Sequence, residues 1–154
     1  MNTSQKSDIG IIGLSVMGRS LALNMADHAF KVSGYNRSAS VTEQVMEDHP
    51  HKNLFPFYSL DEFVNSLERP RKVMLMIQAG APVDAVIDQL IPLLEQGDIV
   101  MDGGNSCFED TRRRSKTLAE AGIRLYAGCS GDADACVAQL LQGTLAYADS
   151  ATCD

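Results

Sequence analysis

Residues 8–19 read Asp8-Ile9-Gly10-Ile11-Ile12-Gly13-Leu14-Ser15-Val16-Met17-Gly18-Arg19. The apolar run Ile9, Ile11 and Ile12, interrupted only by Gly10, predicts a buried strand. The chain then turns through Gly13, Ser15 and Gly18 into a helical pattern from Met17 to His28. A strand, a glycine turn and a helix in that order form the phosphate-binding corner of a dinucleotide fold. Here Gly13 would permit the tight turn and Gly18 a close helix–strand approach. Ser15 occupies the place where a second glycine often lets the backbone near a pyrophosphate. The start of the helix adds unpaired N–H groups and a positive dipole end. The spacing G-x-S-x-x-G departs from the strict pattern at its middle position. Glycine turns between a strand and a helix also occur with no ligand, so the rest of the chain has to decide.

The next strand, Lys31–Tyr35, ends at Asn36-Arg37-Ser38. In NAD-binding folds a carboxylate about 20 residues past the glycine turn bonds the ribose 2′-hydroxyl. No Asp or Glu stands at this strand end, and Asp27 belongs to the first helix. Arg37 offers a charged fork, with Asn36 and Ser38 as donors beside it, which suits a 2′-phosphate and predicts NADP rather than NAD. Ser38 also suits the N-cap of a helix over Ala39–Asp48. His49-Pro50-His51 reads as a solvated loop, because no Cys or carboxylate completes a metal site. Phe57 and Tyr58, in Leu54–Tyr58, read as core and lid packing, and Ser59 as the cap of a helix over Leu60–Leu67.

Val73–Ile77 is a continuous apolar run, as in a strand buried on both faces. Gln78-Ala79-Gly80-Ala81 then lies where doubly wound folds place ligands. Pro82 suits the first turn of a helix. Its apolar positions run from Val83 to Leu94, Gly97 stops it, and Pro92 near its end would kink or shorten it. Ile99–Asp102 predicts the next strand, followed by Gly103-Gly104-Asn105-Ser106. Paired glycines there permit close backbone approach to a ligand. Asp102, with nothing nearby to pair with it, reads as a loop-turning residue. A helix over Phe108–Ala121 would carry Arg112, Arg113 and Arg114 on its exposed side, and Ile123–Tyr126 is the last strand. The pattern alternates strand and helix five times. This predicts an α/β, Rossmann-like, doubly wound and mostly parallel sheet with helices on both faces.

Composition narrows the partners. The chain has 154 residues, enough for one domain with a real core, and a net charge of −7 that argues against nucleic acid. No apolar run approaches a membrane span, and the polar first residues lack a signal-peptide pattern, so a cytoplasmic protein is expected. The four cysteines have no C-x-x-C spacing and read as isolated thiols.

Taken together, Gly13–Asn24, Tyr35–Ser38, Met74–Gly80, Asp102-Gly-Gly-Asn-Ser106 and Asp110-Thr-Arg-Arg113 resemble the N-terminal coenzyme domain of the 6-phosphogluconate dehydrogenase family over about residues 8–126. The Asp-Gly-Gly-Asn element separates this family from the related beta-hydroxyacid dehydrogenases. The resemblance implies NADP-dependent oxidative decarboxylation of 6-phosphogluconate to ribulose 5-phosphate, in the pentose phosphate pathway. It implies that Gly13, Leu14, Ser15, Val16, Met17 and Gly18 hold the pyrophosphate, and that Asn36, Arg37 and Ser38 hold the 2′-phosphate. Ile77, Gln78 and Ala79 would face the ribose and nicotinamide, and Asn105 would touch both cofactor and substrate. Ser15 and Gln78 stand where the family often has Ala and Lys. Full-length members are homodimers.

After Tyr126 the likeness stops. The family's general base, a lysine, and its general acid, a glutamate, come later in the chain, and residues 127–154 contain no Lys, Arg, His or Glu. No catalytic residue is therefore assigned. Residues 1–126 read as an NADP-binding domain and 127–154 as a divergent tail, either out of frame or truncated, or forming a helix over Ala133–Leu145. The alternatives for function are a binding module without turnover and a related hydroxyacid dehydrogenase.

Overall fold

The structure, a computed structural model, describes residues 6–104 and 106–127. The expectations placed on Asn105 and on the tail after residue 127 lie outside them. In chain order the elements are β1 (Ile9–Ile12), α1 (Val16–Asp27), β2 (Val32–Tyr35), α2 (Ala39–Asp48), β3 (Leu54–Phe57), α3 (Leu60–Asn65), β4 (Lys72–Leu75), α4 (Ala81–Leu90), β5 (Ile99–Asp102), α5 (Phe108–Glu120) and β6 (Arg124–Ala127). They form a six-stranded sheet in the order β3-β2-β1-β4-β5-β6. Every neighbouring pair is parallel. The strand order reverses between β1 and β4, so the crevice at their C-terminal ends is where such a sheet places a ligand.

Side-chain alternation along the strands divides the core in two. Ile9 and Ile11 of β1, Met74 of β4 and Met101 of β5 pack with Leu21, Met25 and Val45 of α1 and α2. Ile12, Val73, Leu75 and Val100 point the other way, onto Phe63 of α3, Ile87 of α4 and Leu118 of α5. Both faces are thus covered, which is why the strand sequences are apolar without a polar alternation. Gly10 is explained by the second layer: a Cβ there would run into the Phe63 ring.

Four expectations are corrected. Leu54–Phe57 is an edge strand, so the sheet has one strand more than the alternation predicted. Pro56 hid it, because proline in a strand is tolerated only at an edge, where one side of the backbone bonds to nothing. The fourth helix stops at Leu90 rather than running through Leu94 to Gly97, the shortening expected of Pro92, which lies just beyond its end. Ser38 occupies the N-cap position of α2 without capping it, since its hydroxyl pairs with that of Ser40 at 2.9 Å. The three arginines of α5 do not share an exposed side: Arg112 and Arg113 are exposed, whereas Arg114 is buried. Ser59 does cap α3, accepting the Glu62 N–H at 3.2 Å.

Candidate functional site

The glycine turn is held by backbone geometry that side chains would prevent. Gly13 has φ +99°, and a Cβ on it would meet the Met76 carbonyl. Its N–H donates to the Tyr35 carbonyl at 2.9 Å. A Cβ on Gly18 would strike the carbonyl of Gly13 itself, so α1 starts in direct contact with the turn that launches it. Leu14 is 1 % exposed and its side chain belongs to the core. Its N–H donates to Asn36 Oδ1 at 3.0 Å, which ties the turn to the end of β2. Ser15 is the N-cap residue of α1, yet its side chain accepts no capping bond, and the first turn has no acidic residue. The start of this helix is therefore unneutralised. Val16 and Met17 stand out from it, 66 % and 72 % exposed.

At the end of β2 the three polar residues divide their work. Asn36 spends its amide oxygen on the glycine turn and donates through Nδ2 to the Ser38 carbonyl at 3.3 Å. Ser38 is engaged with Ser40. Arg37 is exposed, and among the described residues it has neither a hydrogen-bond nor an ion-pair partner. Beside it opens a cavity of about 300 Å³, walled by Ile12, Gly13, Tyr35, Asn36 and Arg37 on one side and by Ile77, Gln78, Val86 and Gln89 on the other. Ala79 lies in the β4–α4 loop, outside that wall.

The loops after β4 and β5 are joined by Arg114, 2 % exposed. Its Nε donates to Asp84 Oδ1 at 2.8 Å and its Nη2 to the Gly80 carbonyl at 3.0 Å. Its Nη1 donates to Ser106 Oγ at 3.0 Å. Ser106 in turn donates to Asp102 Oδ2, while Asp102 Oδ1 accepts the Gly104 N–H at 2.9 Å. Asp102 does turn its loop, as its sequence suggests, but it has partners: Ser106, Gly104 and, at 3.9 Å, Arg114. Arg113 adds a second guanidinium to Asp84, at 3.1 Å. Hydrogen bonds from Arg114 and then Arg113 hold the Asp84 carboxyl down from its ordinary 3.8 to about 2.

The structure thus brings together Gly13, Asn36, Arg37, Ile77 and Gln78 around one cavity, with Ser15, Val16, Met17 and Gly18 along the adjoining helix start. Sequence reasoning missed Tyr35, Val86 and Gln89 as wall residues, and Arg114 and Asp84 as the joint behind the loops. The helical spacing of Arg114 to the buried Leu118, four residues on, was the available clue to its inward direction.

The family described as the NAD binding domain of 6-phosphogluconate dehydrogenase matches residues 8–147. A 6-phosphogluconate dehydrogenase, decarboxylating, of Chlamydia pneumoniae is 56 % identical over 128 residues, covering 82 % of this chain and 27 % of that protein. The NADP(+)-dependent decarboxylating enzyme of Bacillus subtilis is 52 % identical over 127 residues, covering 82 % of this chain and 27 % of its own length. Among solved structures, the 6-phosphogluconate dehydrogenase of Plasmodium falciparum, studied apo, with its cofactor NADP+ and with its substrate 6-phosphogluconate, superposes with a TM-score of 0.71 at 38 % identity, over 77 % of this chain and 26 % of that one. A 3-hydroxyisobutyrate dehydrogenase of Mycobacterium tuberculosis, at 16 % identity and a TM-score of 0.68, over 79 % of this chain and 40 % of that one, shares the fold. The chain spans about a quarter of the length of the curated relatives it matches.

Proposed function

The chain belongs to the family of the NAD-binding domain of 6-phosphogluconate dehydrogenase, and from that premise we propose that it binds NADP at the C-terminal edge of its sheet. Residues 1–126 would be the coenzyme part of an oxidoreductase that acts on 6-phosphogluconate, as a homodimer in the cytoplasm. The carrying observation is Arg37, an exposed guanidinium without a partner among the described residues, at a strand end that has no carboxylate. A 2′-phosphate is the group such a fork accepts, and a carboxylate there would repel it.

The remaining contacts belong to the same proposal. The adenine fits the cavity between Tyr35 and Val86, next to Arg37. The pyrophosphate would meet the uncapped start of α1, from Gly13 through Ser15, Val16 and Met17 to Gly18, where the N–H groups and the dipole favour an anion. Gly13 and Gly18 provide the close approach that a Cβ at either position would close. Leu14 contributes through the backbone, since its side chain is in the core. Asn36 shapes the turn, and Ser38 can turn its hydroxyl from Ser40 to a phosphate oxygen. Ile77, Gln78 and Ala79 would border the ribose and nicotinamide, with Asn105 between cofactor and substrate. When bound, NADP supplies the hydride acceptor; the described residues bind and orient it.

A second reading is a module that holds NADP without turnover. It rests on the extent of the match, which covers the coenzyme-binding part and about a quarter of the relatives' length. Calorimetric titration with NADP and NAD, followed by 6-phosphogluconate with NADPH absorbance monitored, separates the two. Arg37→Ala should weaken NADP about ten- to a hundredfold, the loss of a charged hydrogen bond, and leave NAD nearly unchanged. Equal loss for both cofactors refutes the 2′-phosphate role.

A further inference from the structure

We propose that Arg114 is the positioning residue for the nicotinamide side of the site, a role that rests on the NADP reading above and extends it. The adenine side is built by β2 and the glycine turn, with Val86 and Gln89 of α4 as its far wall, and Arg114 makes no hydrogen bond or ion pair to any of these residues. The nicotinamide side depends on the loops after β4 and β5, which belong to different strands and need an external brace. Arg114 is that brace. One guanidinium donates in three directions: to the Gly80 carbonyl that ends the first loop, to Asp84 in the first turn of α4, and to Ser106 in the second loop. Through Ser106 it reaches Asp102, which holds the Gly104 N–H. A continuous chain of hydrogen bonds therefore runs from Gly80 to Gly104, and its centre is a charge buried at 2 % exposure.

Only arginine fits this place. Its planar fork is rigid, so fixing one partner fixes the direction of the others. A lysine has three donors, but all on one nitrogen, too compact to span the partners that Arg114 reaches through Nε, Nη1 and Nη2. The loops would then move independently, while the adenine side, the glycine turn and both core layers stayed as they are.

The full chain is tested with two probes, adenosine 2′,5′-bisphosphate, which is the adenine half of NADP, and NADPH, whose nicotinamide fluorescence rises when the ring is held away from water. The variants are Arg114→Lys and Ser106→Ala; the second keeps the Arg114–Asp84 pair intact, so it decides if the first does not fold. We expect the wild type to bind the bisphosphate and to enhance NADPH fluorescence. Each folded variant should bind the bisphosphate as the wild type does and lose the enhancement. Loss of bisphosphate binding in step with the enhancement would reveal a general structural role and overturn the proposal. So would an unchanged enhancement in the variants, or a wild type that binds the bisphosphate and never enhances. A wild type that binds neither probe overturns the coenzyme reading itself.

Discussion

Asp84 accepts hydrogen bonds from two guanidinium groups, and that pairing makes its contribution to stability depend on pH. Its carboxyl titrates near 2 in the folded chain, against an ordinary 3.8. A depressed carboxylate pKa stabilises the fold above the unfolded value and ceases to do so as pH falls through the folded one. Asp84→Asn should therefore lower the urea midpoint at neutral pH, and the gap from wild type should close between about pH 4 and pH 2. Urea titrations across that window check it; a gap that persists below the folded pKa would show that charge is not its source. Arg114 and Arg37 are also instructive about what residues reveal on their own. Arg37 was legible because the fold predicts a carboxylate at its strand end and the sequence has none there. Arg114 was not, since three arginines in succession have identical chemistry and differ only in the helix face each occupies. That face is set by tertiary packing, here by Leu118 beneath the same turn.

Among the elements, α1 and its glycine turn make a demand whose sign can be worked out in advance. Replacing a glycine inside a helix by alanine ordinarily gains about 1 kcal/mol. At Gly18 the added methyl would meet the Gly13 carbonyl, a rigid backbone group that cannot swing aside. Overpacking of this kind costs about 1–3 kcal/mol, so the clash outweighs the propensity. Gly18→Ala should lower the urea midpoint and weaken NADP, because relief requires the helix start to withdraw from the turn. A midpoint at or above wild type would sink this account. The strands of continuous apolar sequence, β1, β4 and β5, were readable because both sides of each are covered by helices. The strand β3 was not, for the opposite reason. It pairs with β2 alone, includes a proline and leaves Phe55 exposed, so no pattern of burial marks it.

At the scale of the whole molecule, the sheet is braced at both ends, by Arg114 beside the site and by a second buried ion pair away from it. The candidate site uses the C-terminal ends of β1, β2 and β4. At the other end Arg71 and Asp98, 3 % and 2 % exposed, form a buried ion pair at 3.2 Å. Asp98 also accepts the N–H groups of Arg71 and Glu95, each at 2.8 Å, and so anchors the approaches to β4 and β5. Removing one partner of such a pair strands a desolvated charge, at about 3–5 kcal/mol. Asp98→Ala should lose that much stability by urea unfolding, while the folded fraction keeps wild-type affinity for NADP by calorimetry. A selective loss of affinity would mean that the two ends are coupled through the strands.

Pro56 has a consequence beyond the strand it interrupts. An outermost strand with a row of free backbone groups invites a strand from another molecule, and an apolar stretch such as Leu54–Phe57 would be an attractive template. Proline has no N–H to offer, so a second strand laid along this edge would meet a missing donor in the middle of a four-residue stretch. The residue that concealed the strand in the sequence also keeps this margin of the sheet from acting as a seed for aggregation.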